Sequence, residues 1–143
     1  MTLAFRTTTP SAQEPSAFGE GYRPGTCNIG PAEIARRRRA GHVGLGIAVV
    51  VFAGLVAIDA SPLSRSLVAL PAAAAASGYL QARLRFCAGF GSRGIHNFGE
   101  LGRTVQVEDA GARQRDRARS RQIGLASVAI GTAVGLLAVG LPL

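Results

Sequence analysis

NIGPAEIARRRRAGHVGLGIAVVVFAGLVAI, residues 28–58, decides the reading of this chain. The stretch opens on a polar start and passes through four consecutive arginines, Arg36, Arg37, Arg38 and Arg39. It then runs through 19 residues, 40–58, without a formal charge. Pro31 suits the first position of a helix, because its missing N–H would be unpaired there in any case. Glu33 falls in the first turn, where its charge complements the helix dipole, and it stands four residues before Arg37, the spacing of a helical ion pair. At 1.5 Å per residue the uncharged run rises about 28 Å, close to the roughly 30 Å hydrocarbon thickness of a bilayer. A basic collar followed by such a run predicts a membrane-inserted helix.

Composition points the same way. Hydrophobic residues make up 48% of the 143, yet they gather in three blocks, with charge nearly confined to the stretches between. With six Phe, two Tyr and no Trp, a soluble core would have to be built from Ala, Val, Leu and Gly, which bury little area per residue. The net charge of +8 comes from 16 basic residues that are all arginine. Arginine without lysine, beside so much Ala and Gly, reads as base-composition bias rather than as selection for bidentate phosphate binding. Two cysteines are too few for a disulfide framework.

Ahead of the decisive stretch, residues 1–27 hold Pro10, Pro15 and Pro24 and show no apolar periodicity, as expected of a disordered tail. A cleaved signal, with Arg36 to Arg39 as its basic region and a cut after Ala60, is disfavoured by the long lead and the long apolar run. Beyond the stretch, residues 59–65 read as a tight connection, with Ser61-Pro62 as the turn and Asp59 in reach of Arg65. A second helix is expected over 66–84. Its alanines contribute little to insertion, so alone it is a marginal span. Against the first helix it can close a hairpin, through the small residues of 72–78, Ala74 and Gly78 among them.

Residues 95–122 form a basic loop or helix. The glycines of 87–99 disfavour a stable helix, whereas 107–122 can be helical, with Asp109 and Arg113 paired four apart. A third span is expected over 123–143, where Ser127, Gly131 and Gly135 repeat every four residues, as helix contacts in lipid do. Gly46 and Gly54 are the corresponding candidates on the first helix. Six arginines precede the first helix, nine lie between the second and third, and only Arg65 lies in the short loop. The positive-inside rule then places the N-terminus and the basic loop in the cytoplasm and the C-terminus outside.

Few constellations carry chemistry. Cys27 and Cys87 fall just beyond membrane ends on one face, and Arg83, Arg85 and Arg93 flank Cys87, a basic setting of the kind reactive thiols use. A redox or sulfur-handling pair, juxtamembrane acylation, or two packing residues are the readings open to them. Adding His42 and His96 gives a Cys2His2 inventory without the short spacings that zinc sites favour. Arg113, Arg115, Arg117, Arg119 and Arg121 recur at every second position and so spread around a helix. That suits a collar for anionic lipid headgroups, as do Arg36 to Arg39. No reading motif accompanies them, which disfavours nucleic acid. Gly89, Gly91, Gly94 and Gly99 lack the strand and the lysine of a phosphate loop. No catalytic triad, carboxylate pair or intramembrane charge is present.

Asn28-Ile29-Gly30, Glu33, Arg37 and Gly41, followed by Gly78, Leu80 and Phe86-Cys87, resemble the YgaP-like inner-membrane domain over residues 28–94. That family is a two-helix hairpin sometimes joined to a rhodanese. The chain departs from it at Ile34, where an arginine is usual, at Ala88, where a proline is typical, and throughout the third helix. The resemblance implies a self-associating hairpin with Cys87 at its cytoplasmic mouth. Any link to sulfur transfer would come from a rhodanese partner.

The expectation is therefore an all-α membrane protein with three transmembrane helices, N-in and C-out, in the cell inner membrane. It needs no cofactor or metal and acts as a non-catalytic structural or interaction subunit. Its partners are anionic lipid headgroups and a second copy or another membrane protein. The alternative is a thiol-dependent redox or sulfur-handling protein using Cys87 with Cys27.

Overall fold

The computed structural model describes residues 21–142. Helix α1 spans Pro31–Ala57, with Pro31 at its first position and Gly30 as an extended N-cap. It ends at Ile58 in a left-handed Asp59 (φ 51°), with Ala60 N–H bonded to the Leu55 carbonyl and Asp59 N–H to that of Val56. This is the paired closure that satisfies the last carbonyls of a helix.

Ser61 and Pro62, read from sequence as a turn, already begin the next helix. Ser61 Oγ caps the Ser64 N–H at 3.3 Å, and Pro62 takes the first position. Helix α2 (Pro62–Arg65), a 3-10 turn (Ser66–Val68) and helix α3 (Ala69–Arg83) follow without a break. The second helical segment therefore starts four residues before the expected residue 66. The 3-10 tightening lies just upstream of Pro71, which cannot donate to the Leu67 carbonyl. Arg65 is buried, with its guanidinium on the Leu141 carbonyl at 3.1 Å, so it reaches the far end of the last helix.

The glycine-rich stretch is more ordered than its composition suggests. Cys87 Sγ caps a short helix α4 (Ala88–Arg93), which closes on a left-handed Gly94 (φ 70°). Residues 95–96 (β1) then pair antiparallel with residues 105–106 (β2). Helix α5 runs unbroken over Ala110–Gly140 and joins the expected basic helix to the expected span. Asp109 caps it, accepting the Ala112 N–H at 2.6 Å, while Arg113 turns to the carbonyls of Val107 and Glu108. The capping role replaces the expected Asp109–Arg113 pair.

The long helices form an antiparallel layer in which α3 packs on α1 at one side and on α5 at the other. Both contacts are made by small residues. A Cβ on Gly78 would lie 2.5 Å from the Gly41 nitrogen, one on Gly44 2.7 Å from the Ala75 nitrogen, and one on Gly131 2.6 Å from the Ala69 carbonyl oxygen. The buried positions of α5 (Ala112, Asp116, Ser120, Ile123, Ser127, Gly131, Gly135, Ala138) follow the three-and-four spacing of one helix face. Among the described residues two helices, α1 and α5, are long and apolar enough to cross a membrane. At 15 residues α3 does not reach that length, so the expected second of three spans is a shorter apolar helix sandwiched between them.

The expected tail straddles the described boundary. Residues 1–20 lie outside the described residues. Residues 21–27 form a turn in which Tyr22 is buried against Val107 and Ala112, so the folded part begins earlier than residue 28.

Candidate functional site

The basic ends of α1, α3 and α5 meet in a cap built from residues 21–30 and 84–109. Several polar side chains are buried at this end. Asn28 is fully buried and grips the backbone of Cys87 at two points, Oδ1 accepting the Cys87 N–H at 2.6 Å and Nδ2 donating to the Cys87 carbonyl at 3.0 Å. An amide side chain matches a peptide unit in this way, with one acceptor and one donor side by side. Gln81 extends the grip by accepting the Ala88 N–H at 3.1 Å. One helical turn along α1, Arg37 donates from Nη2 to Cys87 Sγ at 3.0 Å and lies 3.6 Å from Glu33 Oε2. Its guanidinium also stands 5.8 Å from the Phe90 ring centroid. Glu33 is buried, and Asn97 Nδ2 reaches its Oε1 at 3.5 Å.

A second buried group adjoins the first. Asp116 is fully buried on α5; it accepts the Tyr22 hydroxyl at 2.7 Å and the Gly25 N–H at 2.7 Å. Burial, then the hydrogen bond and charge of Asp116, raise the Tyr22 pKa well above its ordinary value, so the phenol stays neutral. His96 stacks on Tyr22 with ring centroids 4.8 Å apart. Burial lowers the His96 pKa, opposed in part by the charge of Asp116. Backbone bonds stitch the two groups together, Gly30 N–H to the Asn97 carbonyl at 2.8 Å and Asn97 N–H to the Asn28 carbonyl at 3.0 Å.

No family model, curated protein or solved structure matches the chain.

The sequence-derived candidates divide in space. Cys87 is only 1% exposed, whereas Cys27 is half-buried, with its thiol 3.9 Å from the Ile29 carbonyl. Both thiols are free. The arginine on the Cys87 sulfur is Arg37 from α1, not Arg83, Arg85 or Arg93, its neighbours in sequence. His42 bonds Tyr79 and His96 stacks on Tyr22, and among the described residues no three His, Cys, Asp or Glu side chains gather where they could hold a metal. Gly78, Ser127, Gly131 and Gly135 lie on buried helix faces. Gly46 and Gly54 do not: beyond each the space is open for 4 Å, and Ala74 is also exposed. The helix contacts of α1 instead use Gly41 and Gly44, one turn nearer the basic end.

The collar arginines stay at the surface. Arg36, Arg38 and Arg39 are exposed and Arg37 is the one drawn inward. On α5, Arg115, Arg117 and Arg121 are exposed, while Arg113 and Arg119 are partly covered. Asp116, Tyr22, Asn97 and Gln81 are the site residues that motif reading passes over. For Asp116 a signal existed. It is the single acid among the alternating arginines, four residues from both Ala112 and Ser120, and hence on the stripe of small residues.

Proposed function

We propose that this chain is a small integral membrane protein of the cell inner membrane, acting as a non-catalytic structural or interaction subunit. The observation that supports it is an apolar belt turned outward. Val50 on α1 and Leu125 on α5 are 71% and 72% exposed, and Val43, Val49, Leu136 and Leu137 join them. In water such a belt would be a large aggregation-prone patch; in lipid it needs no partner. Arginines crowd one end of the belt, so that end is the cytoplasmic one by the positive-inside rule. With α3 completing the layer, the N-terminus lies inside and the C-terminus outside. Within this reading the cap is a clasp. Asn28 holds the Cys87 backbone, and Arg37 links Glu33 to the Cys87 sulfur; these are four of the residues that carry the likeness to the YgaP-like hairpin.

The thiol reading retains one observation in its favour, the Arg37 guanidinium that donates to Cys87 Sγ at 3.0 Å. Against it stands the burial of that sulfur. Carbonate extraction of membranes, combined with maleimide labelling of each cysteine in intact and everted vesicles, tests both. The structural reading expects retention in the membrane, labelling of Cys27 from the cytoplasmic side and a silent Cys87→Ser variant. Release by carbonate would overturn it, and loss of a cellular phenotype in Cys87→Ser would favour the thiol instead.

A further inference from the structure

Two cavities formed by the described residues lie outside the clasp, and together they describe one ligand. The first is a pocket of about 940 Å³ beside the basic end, lined by Arg23, Arg38, Arg83 and Arg85 together with Cys27 and Phe98; among the described residues none that lines it is acidic. The second is a groove of about 470 Å³ on α3, walled by α1 and α5 and lined by apolar side chains from Leu45 and Phe52 to Val134 and Leu137. Their lining residues fall on the same stripes. On α1, Ile34 and Arg38 line the pocket and Leu45, Val49 and Phe52 the groove, with His42 four residues beyond Arg38. On α3, Ala72, Ala76 and Tyr79 floor the groove and Arg83 borders the pocket. Steps of three and four residues keep each set on one helix face, so pocket and groove are successive sections of a single trough. Between them stands the hydrogen bond of His42 Nδ1 and the Tyr79 hydroxyl, 2.7 Å.

We propose that this trough holds one anionic glycerophospholipid, with its phosphate among the four arginines, its ester region beside His42 and Tyr79, and an acyl chain along the groove. The inference rests on the membrane reading above. Charge complementarity selects the headgroup, since four guanidinium groups, with no carboxylate among the described lining residues, suit a phosphodiester and offer nothing to a compensating cation such as choline. Length agrees as well. From Val68 to Tyr79 the groove floor covers twelve residues, eleven helical rises or about 16 Å, room for much of one acyl chain within a roughly 30 Å hydrocarbon core. A further observation concerns Arg85, which occupies the left-handed position (φ 52°) that closes α3, with Phe86 N–H bonded to the Gln81 carbonyl. Glycine is favoured at such a position. An arginine there keeps a strained backbone and supplies the pocket with a charge.

The test uses the full chain in mild detergent, titrated with phosphatidylglycerol and with phosphatidylcholine of the same chains and followed by native mass spectrometry. Phosphatidylglycerol should bind at least tenfold more tightly, and Arg38→Gln with Arg83→Gln should remove that preference. Arg85→Gly should weaken lipid binding while raising the melting temperature, so its loss cannot be ascribed to misfolding. Ala72→Phe, which fills the groove, should lower retention of both lipids. Equal binding of the two lipids, or an unchanged preference in the arginine variants, would overturn the proposal. So would glycerol phosphate binding as tightly as the lipid, because that would make the pocket a site for a free phosphate. Carbonate extraction separates this from the parent reading: a protein retained in the membrane yet indifferent to headgroup defeats only the lipid site.

Discussion

Replacing Gly78 by alanine tests whether the layer is held by backbone contact. The added Cβ would lie 2.5 Å from the Gly41 nitrogen, 2.7 Å from its Cα and 2.8 Å from the Arg37 carbonyl oxygen. All three are main-chain atoms of α1, so no side chain can rotate away. Restoring contact distances of about 3.5 Å requires the helices to part by roughly 1 Å. That movement also lengthens the 2.7 Å His42–Tyr79 hydrogen bond beyond useful range and loosens Gly44 against Ala75. Overpacking contributes about 1–3 kcal/mol and the lost bond about 1 kcal/mol, so the variant should lose about 2–4 kcal/mol. Gly54→Ala is the matched control. Nothing lies within 4 Å of it, and alanine's better helix propensity should leave it neutral or more stable by up to about 1 kcal/mol. Unfolding in mixed micelles, followed by circular dichroism against the mole fraction of dodecyl sulfate, reads both. Should Gly78→Ala fall within about 0.5 kcal/mol of Gly54→Ala, close approach of α1 and α3 is not what holds the layer.

Other consequences can be measured on the same preparation. Asn28→Ala strands the buried N–H of Cys87, whose carbonyl keeps the Gly91 N–H, and should destabilise by about 2 kcal/mol in the same unfolding assay, whereas a change under about 0.5 kcal/mol would mean the two-point grip is dispensable. In the native state Cys27 should react with maleimide at least tenfold faster than Cys87, and equal rates would show that the clasp opens readily. His96 has a folded pKa below its unfolded one, so the unfolded chain binds the extra proton. Stability should therefore be fully present above about pH 6.5 and decline as the pH falls below it; His96→Phe should flatten that slope, and an unchanged slope would assign it to another group.

Part of this architecture is legible in the chain itself. Residues 40–58 and 123–140 announce long apolar helices because they are uncharged for a bilayer's depth, and the Ser127, Gly131, Gly135 repeat marks the face that α5 turns to α3. Cap residues were harder to read, since their partners are distant in sequence. Asn28 and Cys87 stand 59 positions apart, and Tyr22 and Asp116 stand 94 apart. No local period encodes such pairs. The short helix α4 was hidden for a different reason. Its glycines lower helix propensity, but Gly91 is where Ser120 and Phe86 press in: a Cβ there would meet Ser120 Oγ at 2.5 Å. Tertiary packing overrode the local preference. Gly46 and Gly54 misled in the opposite sense, since small residues on a helix mark a contact only when they share its buried face.

The alanine content of α3 joins these points into one argument. Judged as a span, the helix is weak, because alanine adds little transfer free energy and its 15 residues are too few. Judged as a middle layer, the same residues are what the position requires. Ala75 meets Gly44 on one side, Ala69 and Ala73 meet Gly131 and Gly135 on the other, and any branched side chain at these points would hold the flanking helices apart. In lipid, where apolar side chains gain little by leaving the solvent, van der Waals contact between close backbones is the main source of association. Small side chains on the remaining face leave the floor of the groove open between the walls of α1 and α5. The composition that makes α3 a poor independent span thus permits both close contacts and leaves the trough between them.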